Sequence, residues 1–313
     1  MKIFFVLPVF NDQLSLSKLI EDLKKILNKN EDLLQFIIVD DASTKKLNNF
    51  IDMHGVHYIK LKSNQGNQKA IFVGMNYLQD LNIDYDYLIV MDSDGEDKPQ
   101  DVPKLIEQSK KLNNENIIFA SRLKRNEGLV YKFFYFFYKL IFKLLTGQKL
   151  NFGNFSCIPK KFLKNILDLQ TISIHYSASV LKSKILHSTI SFDKGKRYDG
   201  ITQTNLTSII IHALKSLSIY YEEILVKFLI FSSIGSVFGI LSMIFVFFNK
   251  FFSPFVLIGW SSNMILGLSI ITIMFVSMFF ACLLILLNKS PYSNHLDNNK
   301  NYKSLIDKIE NLN

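Results

Sequence analysis

Cysteine is nearly missing from this chain of 313 residues: the two present, Cys157 and Cys282, lie far apart, and the second sits inside an apolar run. That scarcity excludes a disulfide framework and a zinc site, and the expectation is a reducing compartment for the polar part. The opening segment is not expected to be a secretory leader. The opening Met1-Lys-Ile-Phe-Phe-Val-Leu-Pro8 has a short apolar core, meets Pro8 and polar residues at once and carries no small-residue cleavage site, so it reads as a first β-strand. No internal repeat is visible. No basic-aromatic motif of a nucleic-acid-binding module occurs either, and the lysines gather near apolar segments. The net charge of +9 therefore points to anionic lipid or an anionic substrate, with no nucleic-acid partner expected.

What is present is apolar. Hydrophobic residues make up 49% of the chain, 28 of them Phe, and the mean hydropathy is +0.18. This is too apolar for an ordinary soluble domain pair and too polar for a many-span transporter. Residues 228–248 and 264–287 are free of charge, and each reaches the roughly 20 residues needed to cross a bilayer. The connector 249–263 holds one lysine, Lys250, whereas Lys215, Lys227 and Lys289 flank the outer ends. That bias puts both termini on the cytoplasmic side. The expected organisation is a cytoplasmic domain over 1–221, a transmembrane hairpin over 222–288 and a polar cytoplasmic tail over 289–313. This amounts to a multi-pass membrane protein. In the tail, Leu305, Ile309 and Leu312 recur at helical spacing and predict a small docking helix.

Up to about residue 122, short apolar runs alternate with amphipathic stretches, the pattern of an α/β fold with a mostly parallel sheet and helices on both faces. Strands are expected over 3–7, 36–40, 56–61, 87–91 and 117–120. Leu16, Leu19, Ile20, Leu23 and Leu27 recur at helical spacing, as do Ile71, Met75 and Leu78. Residues 129–146 read as an interfacial helix with Lys132, Lys139 and Lys143 near one another and aromatics over the rest. A core helix with a solvated lysine edge is the alternative. A milder interfacial candidate spans 206–221.

Ligands of open α/β sheets bind beyond the carboxyl ends of strands, and those ends are polar here. The first strand runs into Pro8-Val-Phe10-Asn11-Asp12, the second into Asp40-Asp41-Ala-Ser43-Thr44, and the third is followed by Asn64-Gln-Gly66-Asn67. After the fourth comes Asp92-Ser-Asp94-Gly-Glu96-Asp97. Acids at i and i+2 converge when the chain turns, which Gly95 permits. Their oxygens suit Mg2+ or Mn2+, which would bridge two phosphates of a nucleotide. Each turn alone is ordinary turn chemistry; four at one sheet edge are not.

Taken in order, Pro8-Val-Phe-Asn11-Asp12, Val-Asp40-Asp41-Ala-Ser, Asn64-Gln-Gly66-Asn and Met-Asp92-Ser-Asp94 resemble family 2 glycosyltransferases with the nucleotide-diphospho-sugar transferase (GT-A-like) fold. Ala-Ser121-Arg122, the basic aromatic helix, the stretch 206–221 and the terminal hairpin resemble the membrane branch that includes dolichyl- and undecaprenyl-phosphate sugar synthases. The resemblance implies that Pro8, Phe10, Asp12, Asp40, Asp41, Asn64, Gly66 and Asp92 serve the nucleotide-sugar donor. It implies Asp92, Asp94 and Glu96 for the metal, and Asp94, Arg122 and Arg197 for catalysis. Arg122, Arg125, Lys132 and His175 would serve a lipid-phosphate acceptor, a forked guanidinium being suited to phosphate.

Departures from the family pattern stand beside these matches. Phe152-Gly-Asn154-Phe-Ser156 occupies the place of an Asp-rich motif, and Asn is no base. Lys196-Arg197-Tyr-Asp-Gly200-Ile-Thr202-Gln203 has Gln203 where an Arg-x-x-Gly-x-Ser-Lys loop carries lysine. The expected partners are a nucleotide-sugar donor, a membrane lipid acceptor and the bilayer, and a homo-oligomer is compatible with the sequence. The leading reading is inverting sugar transfer to polyprenyl phosphate. Extension of a lipid-linked glycan and a non-catalytic membrane scaffold are its rivals.

Overall fold

The computed structural model describes residues 1–27, 33–44, 55–122, 129–199, 206–252, 259–287 and 301–312. The first strand, β1 (Lys2–Val9), is apolar along its whole length and buried from Ile3 onward, as a central strand covered on both faces must be. Its alternate residues serve different layers. Ile3, Phe5, Leu7 and Val9 join Leu16, Leu19, Ile20, Leu23 and Leu27 of α1 (Gln13–Leu27) and Val102, Leu105 and Ile106 of α3 (Val102–Lys111) in one core. Val6 faces the other way, toward α2 (Asn67–Leu81). A Cβ on Gly74 of that helix would lie 2.7 Å from Val6 Cγ1 and 3.1 Å from Val39 Cγ2, so glycine lets α2 lie close against the sheet.

Among the described residues the sheet has eight strands, in the order β7-β5-β6-β4-β1-β2-β3-β8. Its parallel part joins β1 to β2 (Leu33–Asp40) and β4 (Tyr87–Val90), β2 to β3 (Val56–Leu61), and β5 (Ile117–Arg122) to β7 (His187–Phe192). Three strands depart from the expected set. β6 (Phe152–Pro159) enters antiparallel between β4 and β5, and β7 extends the far edge. The third is a correction: Leu305, Ile309 and Leu312 do not form a docking helix. Tyr302–Leu305 is a 3-10 turn, and Ile306–Leu312 is β8, antiparallel to β3. The unpaired N–H and C=O groups along β3 offered this segment a ladder, which outweighs its helical spacing. Tyr302 Oη donates to Asp80 at 2.8 Å and anchors the turn on α2.

By contacts the chain forms two units. One comprises Met1–Leu140, Gln148–Ile219 and Asn294–Asn313, and the other Ile141–Gly147 and Tyr220–Ser293. The first also holds α5 (Leu163–Leu167), α6 (Tyr176–Ser183) and α7 (Leu206–Ser218). In the second, α8 (Tyr221–Phe252) and α9 (Trp260–Leu287) are long and apolar enough to cross a membrane. A Cβ on Gly239 would lie 2.1 Å from Thr272 Oγ1, the small-residue contact by which apolar helices pack without a hydrophobic drive. The end of α4 (Leu129–Thr146) also lies there, and Lys227 Nζ donates to its terminal carbonyls at Leu144 (3.0 Å) and Leu145 (2.7 Å), capping it with a cation.

Candidate active site

Because β1, β2 and β4 run parallel, the chain leaves all three at the same edge, and the acidic turns assemble there. The turn after β1 is tied to the one after β2: Asn11 N donates to Ser43 Oγ at 2.8 Å, and Thr44 N to Asn11 Oδ1 at 2.9 Å. Pro8 contributes its carbonyl, which accepts from the buried Ser93 hydroxyl at 2.9 Å. Phe10 stays 36% exposed at the rim.

Asp40 and Asp41 are buried, at 1% and 4% exposure, and the protein itself occupies their oxygens. Asp40 accepts from Ser43 N at 2.9 Å and Tyr58 Oη at 2.6 Å. Asp41 accepts from Gln65 N at 2.6 Å and Gly66 N at 2.7 Å, which fixes the loop leading into α2 and leaves Asn64 exposed. Burial raises the Asp41 carboxyl above its ordinary value, opposed by those two N–H groups.

The Asp92–Asp97 turn is more open. Asp92 Oδ1 accepts from Asn67 Nδ2 at 2.8 Å, and Asp94 Oδ1 accepts from Glu96 N at 2.9 Å. Burial, then the nearby charges of Asp92 and Glu96, push Asp94 up to about 6, against the pull of Arg197. Over this turn lies the strap that follows β7. Gly195 N donates to Glu96 O at 2.8 Å and Tyr198 N to Asp94 O at 3.0 Å. The fit requires two glycines: a Cβ on Gly195 would lie 2.4 Å from Gly95 O, and one on Gly95, whose φ is +88°, would lie 2.3 Å from the Tyr198 ring. The strap brings its cations to the acids. Arg197 bridges Asp12 at 2.9 Å and Asp94 at 3.7 Å, while Lys194 pairs with Glu96 at 2.8 Å. The buried Nε of Arg197 has no partner among the described residues.

A sequence profile described as glycosyl transferase family 2 matches residues 4–168, more than half of the chain and every turn just described except the strap. The chain belongs to glycosyl transferase family 2. It is 23% identical over 277 residues to an uncharacterised glycosyltransferase, YkcC, of Bacillus subtilis (strain 168), across 84% of this chain and 82% of that one. It is 25% identical over 174 residues to the undecaprenyl-phosphate 4-deoxy-4-formamido-L-arabinose transferase of Proteus mirabilis (strain HI4320), across 53% of this chain and 50% of that protein. Among solved structures it resembles mannosyl-3-phosphoglycerate synthase from Rubrobacter xylanophilus (TM-score 0.53, 14% identity, 70% of this chain and 72% of that one). It also resembles glucosyl-3-phosphoglycerate synthase from Mycobacterium tuberculosis, determined with Mn2+, UDP and phosphoglyceric acid (TM-score 0.51, 12% identity, 71% and 78%). At these identities the two structures establish a common fold.

Not every expected site residue of this family 2 transferase meets the others. The structure gathers Asp12, Asp92, Asp94, Glu96 and Arg197 around one edge. His175 lies elsewhere in role: its side chain accepts from Ala178 N at 3.4 Å as the N-cap of α6, and its ring lies tilted at 33° against that of His212, 4.4 Å between centroids. Burial, then His212, lowers its pKa to about 3, so it is neutral at physiological pH. Arg125 and the side chains of Arg122 and Lys132 lie outside the described residues; the Arg122 backbone pairs with Phe192 on β7. The sequence pattern assigned no site role to Asn67, which it placed in the turn after the third strand, nor to Gln68, Lys194 and Tyr198. The glycine at 195 and the Arg-Tyr pair after it were the available signal for the strap, but a loop remote in sequence declares its target only once folded.

The arrangement suits a hard divalent cation within limits. Among the described residues no group of three His, Cys, Asp or Glu gathers closely enough to hold a metal ion, and Glu96 is held by Lys194. Asp92 and Asp94 are two adjoining carboxylates, one of them raised by the other's charge. Mg2+ and Mn2+ are commonly held by one or two carboxylates together with substrate phosphates, and that donor set fits.

Proposed function

We propose that the chain is an inverting, metal-dependent glycosyltransferase that moves a sugar from a nucleotide-sugar donor to a membrane polyprenyl phosphate. The catalytic unit faces the cytoplasm and α8 and α9 span the bilayer. The observation that carries this reading is the Asp92–Asp94 turn at the carboxyl edge of the sheet, with Arg197 held between Asp12 and Asp94. The undecaprenyl-phosphate transferase relative and the two apolar helices support the acceptor and the membrane.

In this reading the nucleoside lies along the rim formed by Pro8, Phe10, Asp12 and Asn64, over the loop that Asp40, Asp41 and Gly66 hold in shape. Asp92 and Asp94 would hold Mg2+ or Mn2+, which would supply charge neutralisation for the diphosphate. Arg197, held beside Asp94, brings its guanidinium toward the same diphosphate, and Arg122 adds a second guanidinium. A phosphate oxygen of the acceptor attacks the anomeric carbon from the face opposite the leaving group. The new C–O bond forms as the bond to the diphosphate breaks, and the nucleoside diphosphate departs with the electron pair, inverting the configuration. No side chain need remove a proton. A phosphate monoester has its second pKa near ~6 and is already nucleophilic at neutral pH, whereas a sugar hydroxyl needs a base.

The test offers the full chain in detergent a set of nucleotide sugars with short-chain polyprenyl phosphate and, separately, the matching polyprenol. Transfer to the phosphate alone is expected. Transfer only to a preformed lipid-linked oligosaccharide overturns the phosphate acceptor and favours glycan extension; no transfer to any lipid, with nucleotide still bound, favours a scaffold.

A further inference from the structure

The strap that follows β7 lies beyond the residues that the family profile matches, and two neighbours in it reach in different directions along α1. Arg197 pairs with Asp12, just ahead of the helix, at 2.9 Å. Tyr198 Oη donates to Asp22 Oδ2, well inside the helix, at 2.6 Å. At 1.5 Å of rise per residue, Gln13 and Asp22 stand roughly 14 Å apart along the axis, whereas adjacent Cα atoms are only about 3.8 Å apart. The two side chains therefore splay, and both partners are met only with the strap in one register along α1. The Tyr198 ring is held on several sides. It packs against the core that α1 shares with β1, leaves no room for a Cβ on Gly95, and has Lys18 Nζ, from one turn before Asp22, 5.8 Å from its centroid. Its N–H is spent on Asp94 O at 3.0 Å. Burial, then Asp22, raise the hydroxyl above its ordinary pKa, which keeps it a donor at physiological pH.

We propose that Tyr198, through its bond to Asp22, is a positioning residue that sets the Arg197 guanidinium for the diphosphate of the donor. This rests on the donor reading above and deepens it. A guanidinium is a planar fork whose grip on phosphate depends on how it is presented, and Arg197 sits on a strap that is neither helix nor strand. The backbone bonds from Gly195 and Tyr198 hold that strap to the Asp92–Asp97 turn. Its register along α1 is left to the side chains. Without the hydroxyl, the pull of Asp12 on Arg197 is no longer opposed from Asp22, and the longer contact to Asp94, at 3.7 Å, is the one to suffer. Phenylalanine fills the same space beside Gly95, so the ring packing survives the change.

The experiment measures binding of UDP, GDP, CDP and dTDP, each with Mn2+, to the purified full chain in neutral detergent by isothermal titration calorimetry. The tightest of the four is carried through the variants, and thermal melting checks that each is folded. Tyr198→Phe and Asp22→Ala should each weaken the nucleotide roughly three- to tenfold, the range of one hydrogen bond to a charged group. The two together should cost no more than either alone. Asp22→Asn, which keeps an acceptor, should recover most of the loss. In an Arg197→Ala background Tyr198→Phe should cost nothing further, whereas a hydroxyl that served the fold alone would move the melting temperature without this dependence on Arg197. A wild type that binds none of the four overturns the donor reading and this inference together. A wild type that binds, with folded Tyr198→Phe as tight, overturns the role of Tyr198 alone. Additive losses in the double variant overturn the tether, and an Asp22→Asn as weak as Asp22→Ala overturns the hydrogen bond as its cause. A further loss in the Arg197→Ala background shows that Tyr198 acts other than through Arg197 and overturns the positioning role.

Discussion

Two acidic pairs leave the same edge of the sheet, and they have come to different ends. Asp40-Asp41 and Asp92-x-Asp94 each follow a buried apolar strand, and each reads as a ligand-binding turn. Asp40 and Asp41 are almost wholly buried, and backbone N–H groups and the Tyr58 hydroxyl occupy their oxygens. Asp94 keeps 19% of its side chain exposed and meets a guanidinium at 3.7 Å, a looser contact that a substrate can displace. The two pairs therefore differ in what engages their oxygens, backbone N–H groups and a hydroxyl in one and a guanidinium in the other.

Substitution can break this comparison. The largest effect is expected for Asp94→Asn, which should lower turnover by about a thousandfold or more in saturating Mg2+ or Mn2+. The same change should stabilise the fold. The folded pKa of Asp94 is raised to about 6 from 3.8, so the ionised form is penalised as pH rises through that window. Removing the charge should gain roughly 1–3 kcal/mol above pH ~6, and progressively less toward pH ~4. Melting temperatures across pH measure this, and full activity of the variant would remove Asp94 from the site.

Asp41→Ala should do the reverse. It leaves the Gln65 and Gly66 N–H groups without their acceptor, at about 2–4 kcal/mol of stability, read as a lower melting temperature. A variant that melts normally but no longer binds nucleotide would turn Asp41 from frame to ligand. Gly195→Ala forces the strap off the acidic turn, because its Cβ has no room beside Gly95 O. The donor KM should rise about tenfold, or ~1.4 kcal/mol, with kcat less affected; an unchanged KM would show that the strap has no part in donor use. The smallest effect belongs to Tyr58→Phe, which removes one donor to Asp40. About 1 kcal/mol of stability should be lost with kcat unaltered, and a fall in kcat would mean that Asp40 acts in the chemistry.

The sequence by itself determined the sheet-and-helix alternation, because apolar runs and 3.6-residue spacing report burial directly. The strands over 3–7, 36–40, 56–61, 87–91 and 117–120 reappear as β1 to β5 with ends shifted by a few residues. Two long apolar helices were legible for the same reason, and the four acidic or Asn-Gly turns were legible because they follow those strands. Tertiary structure decided the rest. What engages Asp40, Asp41 and Asp94 depended on Tyr58, Gln65 and Arg197, far away in sequence, and the sense of the Gln68 amide depended on a backbone N–H on α6. Residues 306–312 became a strand because an open sheet edge stood ready to pair with them, while their own spacing spelled a helix. Local pattern reports what a segment buries; the partners of its polar groups are chosen by the rest of the molecule.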